Sequence, residues 1–276
     1  MRNNQDRMFT GQPSDNLQSA EPPVNQSLEF IVPTELVDLP SKGMFYGEDH
    51  PLNGKETIEI KHMTTKEEDI LTNESYIKDG SAIDRLLKSI IVDKRINVKN
   101  LLIGDKNAIT VAARIYGYGS DYQTRFSCPS CNSIQKANFN LSEIQNNDFE
   151  EAVREFDGSV DYENGSILLT VPRTKTNLEF RLLQQSTEDN KKTKEMKSKV
   201  VSLMFKKIIK SVNGNSDQKY INSYIDSMSA LDSRYIRAAY QKMIPNVDMN
   251  CAFECENCSY EGEVEVPLKA EFFWPR

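Results

Sequence analysis

The sequence predicts an α+β fold with an N-terminal helix/strand domain, a helical insertion, and a bipartite zinc ribbon formed by two distant Cys-x-x-Cys knuckles. Three observations support this fold class. Two Cys-x-x-Cys pairs lie far apart, strand-like alternation of apolar and polar residues accompanies each pair, and segments with helical periodicity lie before and between them. The cysteine pairs are the most specific signal, because two matched pairs are much stronger evidence than one.

The two cysteine pairs occupy similar local sequences. Cys128 and Cys131 form the first pair, and Cys255 and Cys258 form the second. A phenylalanine stands two residues before each leading cysteine, and an alternating run of apolar and polar residues follows each closing cysteine after a polar turn. Each pair is therefore expected to lie on a knuckle, which is a tight turn between two strands. Two thiolates from one turn can fill two corners of a tetrahedron. The sequence therefore predicts one structural zinc ion bound by all four thiolates.

Other roles for these cysteines fit the pattern less well. A redox dithiol comes as a single pair that opens a helix after a strand. A catalytic zinc keeps an open position and usually has a histidine ligand, but the histidines, His50 and His62, lie upstream of both pairs. Cys251 has no counterpart near the first pair, so it is expected to be a free thiol, although it could replace one ligand. We therefore expect the ion to hold two distant segments together.

Composition limits the classes of function. The chain has 276 residues and a formal net charge of −7, with 38% hydrophobic and 27% charged residues. This acidic balance argues against broad binding of nucleic acid. No apolar run approaches the roughly 18 residues of a membrane span, and no secretory signal is recognisable. The chain has five cysteines, and four of them form pairs with metal-ligand spacing, which fits a reducing cytoplasm better than a disulfide scaffold.

Four segments are expected along the chain. Residues 1–27 are polar and predict a disordered arm, or an arm that a partner orders. Residues 28–141 predict an α+β domain that ends in the first knuckle, and residues 142–249 a mixed strand and helical insertion. Residues 250–276 are expected to contain the second knuckle and an aromatic tail.

The elements of residues 28–141 follow from alternation, capping and periodicity. Thr64 and Thr65 each have a glutamate three residues later, which predicts a capping box. Ser81 opens a second helix with an apolar stripe, and Gly117 or Gly119 ends a third. In chain order, the pattern predicts a strand over 57–61, helices over 64–71, 81–91 and 108–116, and strands over 122–126 and 136–141.

The later elements are predicted in the same way. Strands are expected over 167–171 and 178–183, and helical stretches over 186–212 and 217–243, the second one restarting near Ser229. The lysines between 191 and 199 are interspersed with acidic residues, which favours a solvated helix face over a phosphate-binding strip. The aromatic tail that begins at Phe272 is expected to anchor the chain end, either in its own core or in a partner.

No catalytic constellation is recognisable in the sequence. It contains no glycine-rich phosphate loop, no His-Glu-x-x-His and no Gly-x-Ser-x-Gly motif. Its carboxylate clusters lie at predicted helix N-termini, where they interact favourably with the helix dipole. The sequence therefore predicts a protein that is not an enzyme.

Several short motifs follow one another in a distinctive order. They are Leu39–Tyr46, Ile58–Leu71, Ile83–Leu87, Leu101–Asp105, Arg114–Gly119, Cys128–Cys131 and Ala270–Pro275. In this order they resemble the baseplate hub protein family of T-even-like contractile-tailed bacteriophages, most clearly over residues 28–141. The resemblance implies a non-enzymatic structural or assembly role in the virion tail baseplate, with assembly in the host cytoplasm. It implies other hub and tail proteins as partners. No nucleic acid, membrane or small-molecule substrate is expected.

An alternative from another class is a zinc-ribbon accessory factor that acts on nucleic acid or transcription. Such a factor needs a basic face near its knuckles. The first knuckle offers only Arg125 and Lys136, whereas the second is lined by glutamates. A metal hydrolase is a third reading, but the ligands and general base that it requires are missing.

Overall fold

The computed structural model describes residues 32–184, 200–266, 268 and 270–273. The predicted arm, residues 1–27, lies outside the described residues, as do the lysine-rich segment 185–199 and Trp274. The chain from Val32 onward groups into one compact unit. The boundaries at residues 141 and 249 stay predictions.

Helices and short antiparallel sheets alternate along the chain. The helices are α1 Thr65–Thr72, α2 Glu74–Lys78, α3 Ala82–Ile90, α4 Ile103–Tyr118, α5 Phe149–Glu155, α6 Val200–Ile208, α7 Gln218–Ser227 and α8 Ala230–Met243. The strands are β1 Thr34–Asp38, β2 Thr57–Lys61, β3 Asp121–Ser127, β4 Ile134–Asn140, β5 Ser159–Asp161, β6 Ser166–Thr170, β7 Asn177–Arg181, β8 Ile209–Val212, β9 Asn250–Glu254 and β10 Glu261–Glu265. Short 3₁₀ helices are formed by Val98–Asn100, Leu141–Glu143 and Ala270–Phe273.

The strands form three antiparallel pairs and one larger sheet. The pairs are β1–β2, β3–β4 and β9–β10, and the four-stranded sheet has the order β5–β6–β7–β8. The mixture of helices and small antiparallel sheets agrees with the predicted α+β class. None of the helices among the described residues is long and apolar enough to cross a bilayer.

Two predicted helix starts are confirmed by their capping geometry. The backbone N–H of Thr64 donates to Glu67 Oε2 at 3.0 Å, and the Thr64 hydroxyl donates to the same oxygen at 2.6 Å. At the predicted restart, the backbone N–H of Asp232 donates to the hydroxyl of Ser229 at 3.1 Å. These local bonds satisfy groups at the first turn that have no partner inside the helix.

Two predicted helices have other bounds in the structure, and strand β1 was not predicted. The helix expected over 186–212 is described only from Val200, and it ends at Ile208, because Ile209–Val212 forms strand β8 against β7. Ile209 and Val212 are buried in that sheet, and apolar periodicity alone does not separate a buried strand from a helix. The third helix begins at Ile103 instead of residue 108, and strand β1 was missed.

The C-terminal residues that the structure describes complete the core of their own chain. Phe272 and Phe273 are fully buried, and the ring of Phe272 lies 5.0 Å from the ring of Tyr122, measured between centroids. For these two residues the structure supports anchoring within the chain. This packing places Phe272 beside the first residues of strand β3, the strand that leads to the first cysteine pair.

Candidate metal centre

Two hairpins present the four cysteines. Strands β3 and β4 flank Cys128 and Cys131, and strands β9 and β10 flank Cys255 and Cys258. Both hairpins are antiparallel, with Ser127 opposite Ile134 in one and Glu254 opposite Glu261 in the other. The predicted arrangement of strand, cysteine turn and return strand is therefore present in both halves.

The two turns share one backbone conformation. The N–H of Asn132 donates to the carbonyl of Cys128 at 2.9 Å, and the N–H of Ser259 donates to the carbonyl of Cys255 at 2.9 Å. Each of these donors follows the closing cysteine and has a left-handed backbone, with φ of 56° at Asn132 and 53° at Ser259. This conformation is uncommon for residues other than glycine. Because this conformation recurs at the same position, the two turns present their pairs of sulfur atoms with the same geometry.

The leading cysteine of each turn is fixed by a second matching bond. The N–H of Cys128 donates to the carbonyl of Ser133 at 2.9 Å, and the N–H of Cys255 donates to the carbonyl of Tyr260 at 2.9 Å. Cys128 and Cys255 are both buried. The backbone therefore holds the two leading thiols in equivalent, enclosed positions before any metal contributes.

The four sulfur atoms lie at the spacing of a tetrahedral metal site. All four Sγ atoms lie within 4.8 Å of one another. Cys128 and Cys258 are separated by 3.8 Å between sulfurs, and Cys131 and Cys255 by 3.7 Å. Zinc–sulfur bonds of about 2.3 Å place the sulfurs of a tetrahedron about 3.8 Å apart. The sulfur positions therefore fit a single ion of this size held by both turns.

Polar groups around Cys131 favour its thiolate form. Ser133 Oγ lies 3.0 Å from the Cys131 sulfur, and the amide of Asn257, on the other turn, donates to that sulfur at 3.6 Å. Hydrogen bonds from Ser133, with a further one from Asn257, lower the pKa of Cys131 to about 5. Metals bind the thiolate form, so this environment suits a metal ligand.

One side chain links the two turns directly. Gln135 donates from Nε2 to the carbonyl of Glu254 at 3.1 Å, and its Oε1 accepts from the N–H of Glu256 at 3.2 Å. The rings of Phe126 and Phe253, one from each hairpin, lie 5.2 Å apart between centroids. The hairpins therefore touch through a polar bridge and an aromatic pair as well as through the cysteines.

The structure brings all four predicted ligands together. Cys251 lies in β9 opposite Val264, outside the group of four sulfurs. His50 stacks on Tyr46 instead of approaching the cysteines. Within the part of the chain that is described, no other group of three or more His, Cys, Asp or Glu donors has metal-binding spacing. That the four cysteines bind a metal, and that the metal is zinc, stay predictions.

A second, buried polar site was not predicted from the sequence. Asp105, in the first turn of α4, accepts bonds at Oδ1 from the N–H of Ser41 at 3.0 Å and at Oδ2 from the Ser41 hydroxyl at 2.6 Å. The hydroxyl of Tyr46 also donates to Oδ2, at 2.7 Å. All three residues are buried. We call Ser41, Tyr46 and Asp105 the Asp105 network.

A glycine makes the loop of this network possible. Gly43 has φ of 71°, and a Cβ there would lie 2.4 Å from the backbone nitrogen of Lys55. The N–H of Gly43 also donates to the hydroxyl of Ser41 at 3.1 Å. The loop between β1 and β2 therefore folds tightly enough to aim Ser41 at α4.

Arg114 forms a third long-range contact that sequence reasoning missed. This buried guanidinium donates to three backbone carbonyls, those of Gly119 at 2.6 Å, Asp121 at 3.0 Å and Phe272 at 3.1 Å. It therefore ties the end of α4 to the start of β3 and to the C-terminal segment. The signal available in the sequence was indirect, because Asp105, Arg114 and Phe272 all lie in the motifs that carry the family resemblance.

Comparison with protein families gives one match. The model described as "T4 bacteriophage base plate protein" matches residues 34–274, which include both cysteine pairs, the Asp105 network and Arg114. The chain belongs to this base plate family. Membership confirms the resemblance to phage baseplate proteins, and it implies a location in the virion tail and contact with other tail proteins. Comparison with curated proteins gave no match, and comparison with solved structures gave none either.

Proposed function

We propose that this base plate protein is a non-enzymatic structural or assembly component of the baseplate hub, built in the host cytoplasm and stabilised by one zinc ion. The observation that carries the proposal is the family match over residues 34–274. The geometry of the cysteine group supports a structural metal, because four sulfur ligands leave no open position for a substrate.

The residues around the proposed ion indicate a purely structural role for it. Cys128, Cys131, Cys255 and Cys258 would hold it, and zinc would supply four bonds to sulfur without redox chemistry. The turns are organised by their own backbone bonds, and Gln135 positions the second turn against β4. Closing so long a loop restricts the unfolded chain and therefore favours the folded one.

The surface of the second knuckle argues against the nucleic-acid alternative. Glu254, Glu261, Glu263 and Glu265 are all exposed on the β9–β10 hairpin. Phosphate groups need a basic surface, and carboxylates at this density repel them. A mobility-shift assay at physiological salt checks this point, and we expect no shifted band with duplex DNA or single-stranded RNA.

The proposed role is tested by recovering the chain from infected host cells through an affinity tag and identifying cross-linked proteins by mass spectrometry. We expect tail and hub proteins, and we expect the Cys128→Ser/Cys255→Ser variant to lose them. Cys251→Ser is the matched control and should keep them. Recovery of polymerase subunits or nucleic acid without tail proteins would contradict the proposal. The amount of the chain in purified virions then distinguishes the two roles, because a structural component stays in the virion and an assembly factor does not.

A further inference from the structure

One face of the β9–β10 hairpin is strongly acidic. The register places Glu254 opposite Glu261, and residues 263 and 265 continue the same face along β10. Like charges directly opposite each other destabilise a strand pair. Within the described residues, none of these four glutamates forms an ion pair, and all four are exposed. We call Glu254, Glu261, Glu263 and Glu265 the glutamate face.

Elsewhere on this acidic chain, four lysines line one pocket. Lys61 ends β2, Lys66 lies in α1, Lys88 lies in α3 and Lys94 follows α3, around a volume of about 360 Å³. We call these four residues the lysine pocket. The fold therefore gathers positive charge from β2, α1 and α3 on a chain whose net charge is −7.

Internal contacts neutralise only part of this charge. Lys61 Nζ lies 3.2 Å from Oε1 of the buried carboxylate Glu67. Lys66 and Lys88 are exposed, and neither forms an ion pair with any described residue. Asp93 also lines the pocket, and its carboxylate pairs with Arg95 at 2.7 Å. Among the described residues, Lys66 and Lys88 therefore present positive charge that no ion pair neutralises.

Lys94 is held at the pocket by backbone contacts. Its ammonium group donates to the carbonyls of Lys88 and Ser89, each at 3.1 Å, and to that of Ile91 at 2.5 Å, at the end of α3. Burial, and then the positive charges of Lys61 and Lys66, lower the pKa of Lys94. An anionic partner would relieve the repulsion between these groups.

We propose that the lysine pocket of one copy receives the glutamate face of a second copy. Both halves of the contact are present on this chain, and their charges are complementary. The glutamates extend from one face of a narrow two-stranded hairpin, so several carboxylates can approach the pocket together. The contact gives an ion-pair partner to side chains on both surfaces that have none within the described part of the chain.

A single contact of this kind joins different surfaces of the two copies and is therefore heterologous. A pair joined by one such contact keeps a free pocket on one copy and a free glutamate face on the other, so further copies can add. Head-to-tail contacts of this kind close into a ring when the rotation between copies permits, and otherwise form open filaments. The proposal goes beyond the proposed hub role, and its test does not depend on recovering tail proteins from cells.

The experiment is a charge exchange followed by sedimentation velocity of the metal-loaded full chain. The first variant is Lys66→Glu/Lys88→Glu, and the second is Glu261→Lys/Glu263→Lys. We expect the wild type to self-associate at about 0.05 M salt and to dissociate at about 0.5 M, because charge contacts at a surface are screened. Each variant alone should associate at least about tenfold more weakly, since its altered surface carries two charges of each sign and no longer attracts the unaltered surface of another copy.

An equimolar mixture of the two variants gives the decisive result. The unaltered pocket of the second variant then meets the unaltered glutamate face of the first, so association between the two variants should return. Lys99→Glu/Lys219→Glu changes the net charge as the first variant does but lies outside the pocket, and it should associate like the wild type. Unchanged melting temperatures show that the exposed substitutions leave the fold intact.

The proposal is overturned if the wild type stays monomeric at low salt, or if only one of the two variants loses association. It is also overturned if the mixture fails to recover association, because the pocket and the glutamate face then do not bind each other. Binding of DNA that requires Lys66 and Lys88, in a chain that does not self-associate, would assign the pocket to a different partner.

Discussion

The cysteine group and the Asp105 network are two different ways of joining segments that are distant in the sequence. Cys128 and Cys258 are 130 positions apart, and Ser41 and Asp105 are 64 apart. The cysteine group consists of two equivalent turns, each shaped by its own backbone bonds. The Asp105 network consists of unlike groups that converge on one carboxylate.

The difference lies in what each site needs from the rest of the fold. A Cys-x-x-Cys turn presents two ligands by local geometry, and an ion can then hold two such turns together. The carboxylate of Asp105 has its three bonds only because the fold encloses Ser41 and Tyr46 beside it. Burial raises the pKa of Asp105, and hydrogen bonds from Ser41 and Tyr46 oppose that rise. A metal site can therefore gain stability from a bound ion, whereas a buried carboxylate needs hydrogen bonds from other groups of the same chain.

The largest expected effect comes from removing the metal ligands. We expect the purified protein to hold one zinc ion, and Cys128→Ser/Cys255→Ser to lose both the ion and about 10 kcal/mol of metal-linked folding free energy. Elemental analysis and denaturant unfolding measure the two effects. Removal of metal from the wild type by a chelator should reproduce the loss.

Cys251→Ser is the matched control for this experiment, because Cys251 lies outside the sulfur group. It should keep the metal and the stability of the wild type. Less than half an equivalent of metal in the wild type, or full retention in the double variant, contradicts the assigned site.

The second effect tests the Asp105 network. Asp105→Ala leaves three buried donors, two on Ser41 and one on Tyr46, without their acceptor. We expect a loss of about 3–5 kcal/mol in the free energy of unfolding, because the buried groups keep their desolvation cost. Asp226→Ala, at an exposed position in α7, should change stability by less than about 0.5 kcal/mol. A loss below about 1 kcal/mol for Asp105→Ala would show that the network contributes little.

The same difference explains what could be predicted from the sequence. The cysteine group, the capping box at Thr64 and the restart at Ser229 depend on residue types at short, fixed spacings, and these patterns are visible in one sequence. Asp105 depends on Ser41 and Tyr46, which are distant in the chain, and Arg114 reaches the distant Phe272 as well as two nearby carbonyls. Single polar residues of common types give no local signal of such contacts.

Strand β8 shows the corresponding limit for secondary structure. Ile209–Val212 continues the apolar run of α6, so the sequence favours one long helix. The run instead pairs with β7, where Leu178 lies opposite Val212. Pairing with a distant strand decided the conformation, as it often does for short apolar segments.

A third prediction concerns Glu67, a second buried carboxylate that, like Asp105, depends on hydrogen bonds from its own chain. Although burial opposes the shift, hydrogen bonds from Ser89, Thr64 and Lys61 lower the pKa of Glu67 from 4.5 to about 2. The folded pKa lies below the unfolded one, so the charged carboxylate stabilises the fold above pH 4.5, and this contribution is lost as the pH falls toward 2. At about 1.4 kcal/mol for each pKa unit, the contribution is about 3 kcal/mol.

Glu67→Gln isolates this contribution from that of the other carboxylates. The difference in stability between wild type and Glu67→Gln should be greatest at neutral pH and should shrink on acidification, when both are measured by urea unfolding. Glu68→Gln, at the next and exposed position of α1, is the control and should show no such convergence. A difference that stays constant with pH would mean that Glu67 does not titrate as its contacts predict.

The smallest expected effect concerns the bridge between the two cysteine turns. Gln135→Ala removes one bond to the carbonyl of Glu254 and one from the N–H of Glu256, while leaving all four sulfurs in place. We expect a loss of about 1 kcal/mol in the metal-loaded protein and about tenfold weaker metal binding, because groups that position ligands tune affinity without binding the ion. Gln123→Ala, an exposed residue on strand β3 of the same hairpin, should alter neither quantity. Metal competition with a chromophoric chelator measures the affinity. Equal affinities for the two variants would show that the backbone of each turn, without the bridge, is sufficient to position the thiolates.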